Sequence, residues 1–361
     1  MRRNYIISLL LLISVISCYG SIHVPFDRKD LSYMGRVEQV KNQYAEIYWP
    51  GTSVTIQFKG TEIKAILKNK KEITYFYVII DGNEHDAMKI KSDTLKSTIM
   101  LASGLSNINH SVQLFKLTDN TTCTLFYGFE LADGSTVLNA NPLPKRKIEF
   151  YGNSITAGHG VDMLPGHDDS GSPEYFNNYL TYAALTARHF NAQYSCIARS
   201  GIGVMVSWFP EIMPEIYDRL DPFDSTSKWD FSSYTPDVVV INLFQNDMWL
   251  TASPNHPQFK ARFGTTPPDV STIISSYQNF VKSIRSKYPT ASIICALGSM
   301  NATENGSTWP GYIEKAVAGL SDTKIYTHFF PYKNTSGHPK VAEQKVMADE
   351  LIDFIDKNIT W

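Results

Sequence analysis

Cysteine is scarce, with four in 361 residues, at positions 18, 123, 196 and 295. Their spacing matches no zinc or redox pattern, so neither a metal centre nor a disulfide framework is expected. Cys196 and Cys295 lie in apolar, strand-like runs, where a free thiol behaves as a small hydrophobe. An excess of one charge is lacking too: 33 basic against 35 acidic residues leave a formal net charge of -2. That excludes the basic stripe a nucleic-acid partner would need. No low-complexity tract occurs, and no repeat at solenoid periods. A phosphate-binding glycine loop and a dinucleotide fingerprint are likewise missing. What remains is a globular chain long enough for two domains.

No apolar run reaches the length of a membrane span. The longest, Tyr5 to Ile16, has about a dozen residues, where a spanning helix needs about twenty. It follows Arg2 and Arg3, so residues 1–20 read as a secretory signal. The run ends in Val15-Ile16-Ser17-Cys18, which resembles the lipobox of bacterial lipoproteins, where the cysteine is lipidated and becomes the mature N-terminus. Cleavage after Gly20 is the alternative. The expected location is secreted, or periplasmic or outer-membrane with a lipid anchor as the membrane attachment.

Two rhythms divide the rest. Over residues 21–140 the period is two: Val54, Ile56 and Phe58 alternate with polar neighbours, as do Ile63, Ala65 and Leu67. Thr74 to Ile80 ends in the turn signal Asp81-Gly82, and Thr98–Leu101, Ser111–Leu117 and Thr122–Glu130 continue the series. Short strands without a helix predict a β-sandwich. Beyond a proline-containing connector, over 141–361, strands and helices alternate. Strands are expected at Lys147–Tyr151, Gln193–Ala198, Asp237–Leu243, Ala291–Leu297 and Thr323–Phe329. Helices are expected at Tyr179–Phe190, Ser271–Tyr288, Pro310–Leu320 and His338–Lys357. Apolar strands between helices predict an α/β domain of three layers around a parallel five-stranded sheet. In such sheets, sites form at the carboxyl ends of the strands.

Chemistry-bearing residues follow four of those ends. Gly152-Asn153-Ser154-Ile155-Thr156 follows the first strand, Arg199-Ser200-Gly201 the second, Gln245-Asn246-Asp247 the third and Gly337-His338-Pro339 the fifth. Together they offer a nucleophile, Ser154, a base, His338, and three oxyanion donors: the Ser154 and Gly201 amides and the Asn246 side chain. Acyl transfer needs that set, because the base takes the hydroxyl proton while charge develops on the carbonyl oxygen.

These four blocks resemble those of the SGNH (GDSL-type) hydrolases. Ile148–Gly158, Asn178–Arg188, Met213–Arg219 and, in the β half, His110–Thr118 are similar to carbohydrate esterase family 2. The resemblance implies a jelly-roll domain before an SGNH domain. It also implies a cofactor-free serine esterase acting on O-acetylated xylan, glucomannan or similar glycans. Two other readings stand beside it: a small-ester or lipid esterase, and a degenerate glycan-binding lipoprotein. Three positions depart from the family pattern. Asn153 stands for the usual Asp, and Phe244 stands for a Gly, which is expected to reshape the acyl pocket. Thr335 stands for the acid three residues before the histidine, so a Ser-His dyad is expected.

Trp208, Trp249 and Trp309 could stack on sugar rings or close the rim of the core, with Trp249 favoured. Arg199 could touch substrate or form an ion pair. His159, Asp162, His167, Asp168 and Asp169 fit no metal spacing and read as a solvated loop.

Overall fold

The computed structural model of the chain describes residues 20–119, 122–167 and 169–361; the lipobox and Cys18 lie outside them. Alternating β-branched, aromatic and polar residues build a first, antiparallel domain. Its strands are β1 (Ser21–Pro25), β2 (Leu31–Met34), β3 (Val37–Val40), β4 (Tyr44–Ile47), β5 (Ser53–Asn69), β6 (Thr74–Ile80), β7 (Met88–Ser92), β8 (Ser97–Lys116), β9 (Thr124–Ala132) and β10 (Thr136–Val137). They run in the order β3-β4-β9-β5-β8-β6-β7, with β1 on β9 and both β2 and β10 on β5. Strands expected in pairs are single long ones: β5 has 17 residues and β8 has 20. Register shifts at Gly60/Glu62 and Ile63/Lys64 bend β5, as bulges do. A Cβ on Gly60 would stand 2.3 Å from Ser135 Oγ, so the bend requires glycine there. Phe58, Phe76, Val112, Phe126 and Phe129 fill the space between the layers.

The second domain alternates β11 (Arg146–Gly152), α1 (Ser154–Ala157), α2 (Tyr182–His189), β12 (Ala192–Ala198), α3 (Met213–Ile216), β13 (Val238–Asn242), α4 (Gln245–Thr251), α5 (Pro257–Phe263), α6 (Val270–Lys287), β14 (Ser292–Leu297), α7 (Trp309–Ala318), β15 (Ile325–Phe329) and α8 (Val341–Asn358). Its five strands are parallel, in the order β12-β11-β13-β14-β15. Every residue of β13 is buried, because helices cover both faces. Tyr277 and Phe280 of α6 and Ile313 of α7 pack with Tyr151, Ile241 and Ile293 on one face. Ala183 and Ala187 of α2 and Met347 and Leu351 of α8 pack with Phe150, Val240 and Ile294 on the other. A polar cap begins α6: Asp269 Oδ1 accepts the Thr272 N–H at 2.7 Å. The chain crosses from β11 to β12 on one side and returns to β13 on the other, which opens a crevice at the carboxyl ends.

The two domains share their cores. Tyr48, Trp49 and Leu125 of the β-domain join the α6/α7 face, while Ile79, Phe115 and Leu117 join the α2/α8 face. A polar anchor reinforces them. Arg36, fully buried, donates to the carbonyls of Tyr217 (2.6 Å) and Arg219 (2.9 Å) and pairs with the buried Glu149 at 3.3 Å.

Candidate active site

Ser154 sits where β11 turns sharply into α1. Gly152 permits that turn, since a Cβ there would lie 2.1 Å from Thr156 Oγ1. Asn153 caps α1, its Oδ1 accepting the Ile155 N–H at 3.0 Å. Gln344 of α8 braces the turn by donating to the Ile155 carbonyl at 3.0 Å.

His338 precedes α8, and its Nε2 lies 2.7 Å from Ser154 Oγ. Its Nδ1 lies 2.6 Å from Asp169 Oδ2, and the same oxygen accepts the His338 backbone N–H at 2.7 Å. The expected dyad is therefore corrected to a triad, with a carboxylate in the orienting position. The acid comes from the loop read as solvated, and its side chain is only 11% exposed. Two glycines make room: a Cβ on Gly160 would stand 2.2 Å from Asp169 Oδ1, and one on Gly337 3.0 Å from Oδ2. Lys340 takes the other carboxylate oxygen. Burial raises the Asp169 pKa, but the hydrogen bonds from His338 and Lys340 outweigh it and hold the carboxyl well below its usual range. At the family's usual acid position, Thr335 Oγ1 instead bonds Lys333 at 2.6 Å and Glu343. Asp168 lies outside the described residues.

His159 closes one wall, its ring 4.5 Å from those of His338 and Phe176. Burial, and then the neighbouring His338, pushes its pKa down to about 4. Nitrogen and oxygen atoms of His159, Asp169 and His338 lie within 4.8 Å of one another. A cation there would compete with the His338 bonds to Ser154 and Asp169, and Lys340 already brings positive charge to that carboxylate.

The three expected oxyanion donors follow three neighbouring strands, β11, β12 and β13. The Ser154 amide starts α1 without an acceptor among the described residues. Gly201 follows β12 at φ +83, and a Cβ there would press on Phe209 and Trp208 at 3.2–3.3 Å. Asn246 spends one N–H on the Ile202 carbonyl (2.8 Å), and its Oδ1 accepts from Trp208 Nε1 (3.0 Å). Its orientation is thus fixed and a second N–H is left. Neighbouring Asp247 accepts the amides of Val204, Met205 and Val206. Burial pushes its carboxyl up to about 6.

Phe244 does not shape an acyl pocket. It caps α4 at φ +83, the backbone region where glycine is at ease, and its fully buried ring packs on Tyr277 and Trp309. Trp309 is 8% exposed and starts α7 within the core, the second of its two readings. Trp249, on α4, is half-buried against the α2/α8 core. Trp208 is the exposed one of the three, at 50%. Arg199 stacks on Phe209 at 3.5 Å and pairs with Glu211 at 3.3 Å, the ion-pair reading of the two.

Comparisons with known proteins agree with the two-domain fold. Residues 33–141 match the carbohydrate esterase 2 N-terminal family and residues 150–326 the GDSL-like lipase/acylhydrolase family. The cellulase/esterase CelE of Acetivibrio thermocellus is 32% identical over 93% of this chain, which spans 40% of CelE's length. An acetylxylan esterase/glucomannan deacetylase of Cellvibrio japonicus is 24% identical, over 92% of this chain and 89% of that protein. A family two carbohydrate esterase from Clostridium thermocellum, solved with cellohexaose, superimposes with a TM-score of 0.80 at 31% identity, covering 91% of this chain and 98% of that one. With both domains matched, and with 31% identity to a solved family two esterase over 98% of that chain, the chain belongs to carbohydrate esterase family 2.

Proposed function

We propose that this protein is a serine esterase that removes O-acetyl groups from plant cell-wall polysaccharides such as xylan or glucomannan. The carrying observation is the relay Ser154–His338–Asp169, with its two bonds of 2.7 and 2.6 Å. Ser154 Oγ attacks the acetyl carbonyl while His338 Nε2 takes its proton. The resulting oxyanion accepts from the Ser154 and Gly201 amides and the Asn246 side chain. His338 then protonates the departing sugar oxygen, leaving acetyl on Ser154, and water activated by the same imidazole releases acetate. Trp208 offers an exposed ring face for a sugar. The names of the relatives support the substrate class. Acetate release from acetylated xylan and glucomannan by wild type, abolished in Ser154→Ala, is the expected result. Cleavage of short aryl esters alone would favour a small-ester esterase, and glycan binding without turnover a non-catalytic protein.

We also propose that Cys18 carries a lipid and tethers the enzyme at the cell envelope. The Val15-Ile16-Ser17-Cys18 sequence supports this. Fatty-acid labelling that Cys18→Ala abolishes is expected; an unlabelled, freely secreted wild type would overturn it.

A further inference from the structure

We infer that the β-domain sets the geometry of the oxyanion hole through Asp119, a positioning residue for the acyl-transfer reaction. The inference rests on the esterase reading above. Asp119 lies in the connection between β8 and β9 and is 1% exposed. Its Oδ2 accepts the Ser200 N–H at 2.6 Å, one residue before the glycine that offers its amide to the oxyanion.

The surrounding backbone gives that contact its meaning. From Arg199 to Val206, the amides of the loop after β12 are committed one by one. Arg199 donates to the Gly152 carbonyl, Ser200 to Asp119, Ile202 to the Arg199 carbonyl and Gly203 to Ser207 Oγ. Val204, Met205 and Val206 donate to Asp247. Gly201 alone has no acceptor for its amide among the described residues. Two buried carboxylates, one from each domain, therefore bracket a single free N–H. Asp247 holds the far side from within the catalytic domain. Asp119 holds the near side from outside it.

A free amide stabilises an oxyanion only if it already points where the charge will appear, so its support matters as much as its presence. Gly201 at φ +83 has wide backbone freedom. Anchoring the peptide before it removes that freedom. The anchor carries negative charge close to a site that must hold an oxyanion, and the Lys116 and Arg199 cations facing Asp119 offset it. Asp119 is buried and acts through the Ser200 peptide, so its effect should fall on the transition state rather than on binding.

The test compares wild type, Asp119→Ala and Asp119→Asn with p-nitrophenyl acetate as substrate. The readouts are kcat and KM separately, affinity for an alkylboronic acid that forms a tetrahedral adduct on the serine, and the thermal midpoint. Asp119→Ala should lose about 30- to 100-fold in kcat with little change in KM, as misplacement by an ångström does. Boronate affinity should fall in parallel. Asp119→Asn keeps an oxygen to accept the Ser200 N–H and should recover most of kcat, which also carries the test if the alanine variant does not fold. A folded Asp119→Ala with wild-type kcat and boronate affinity would overturn the proposal. So would an Asn variant no better than the Ala one. A wild type whose turnover Ser154→Ala leaves intact would instead overturn the esterase reading itself.

Discussion

Asp169 and His338 stand 169 residues apart in the chain, yet one carboxylate oxygen binds both the imidazole Nδ1 and the backbone N–H of the histidine. Holding ring and backbone together leaves the imidazole one orientation, with Nε2 facing Ser154. The acid normally contributed by the histidine's own loop is supplied here from the loop that follows the nucleophile.

Asp169→Asn should therefore lower kcat by about 10³- to 10⁴-fold with KM little changed, the usual cost of losing a triad carboxylate. Steady-state kinetics on an aryl acetate measure it. A loss below threefold would restore the dyad.

Lys340→Met should shift how stability depends on acid. Asp169 is depressed below its ordinary value of 3.8, so its pairing stabilises the fold fully above about pH 4 and is lost as pH falls further. The variant should be less stable at pH 7 by about 1.5–3 kcal/mol, typical of a hydrogen bond to a charged group. That gap should narrow as pH falls from 4 towards 2. Denaturant melts across that range would show it, and a gap independent of pH would refute it.

Two substitutions separate the roles of Trp208. Trp208→Phe keeps a ring face but removes the N–H that holds Asn246 Oδ1, so kcat should fall while KM for acetylated oligosaccharide stays near wild type. Trp208→Ala should also raise that KM, by about tenfold for a lost stacking contact of roughly 1.4 kcal/mol. Equal KM values for the two variants would remove the ring from substrate binding.

Arg36→Met leaves the Glu149 carboxylate buried without its guanidinium. It should cost about 3–5 kcal/mol of stability, as breaking a buried ion pair does. Adding Glu149→Gln should recover part of the loss. The check is a double-mutant cycle of thermal or urea unfolding; strict additivity would show the pair uncoupled.

Ser154, Gly201, Asn246 and His338 were legible in the sequence because each follows a strand of a parallel sheet, and that topology alone gathers them at one edge. Asp169 was not legible. Its loop has no period, and its placement depends on two glycines and a lysine that only the folded chain brings near it. Phe244 misled for a related reason: an aromatic in place of glycine says nothing about φ or about which way the ring packs. The halves of β5 and of β8 read as separate strands because a bend within a strand breaks the alternation much as a turn does. Arg36 and Asp119 gave no signal at all, since nothing local marks a side chain that reaches into another domain.

The proline-containing connector between Val137 and Arg146 looks like a natural place to cut for anyone building chimaeric enzymes. The shared cores argue otherwise. Excising the α/β half would bare the surfaces that Trp49, Phe115 and Leu117 cover, strand Glu149 without Arg36 and release the peptide beside Gly201. Exchange of parts in this scaffold should therefore keep the two halves together as one unit.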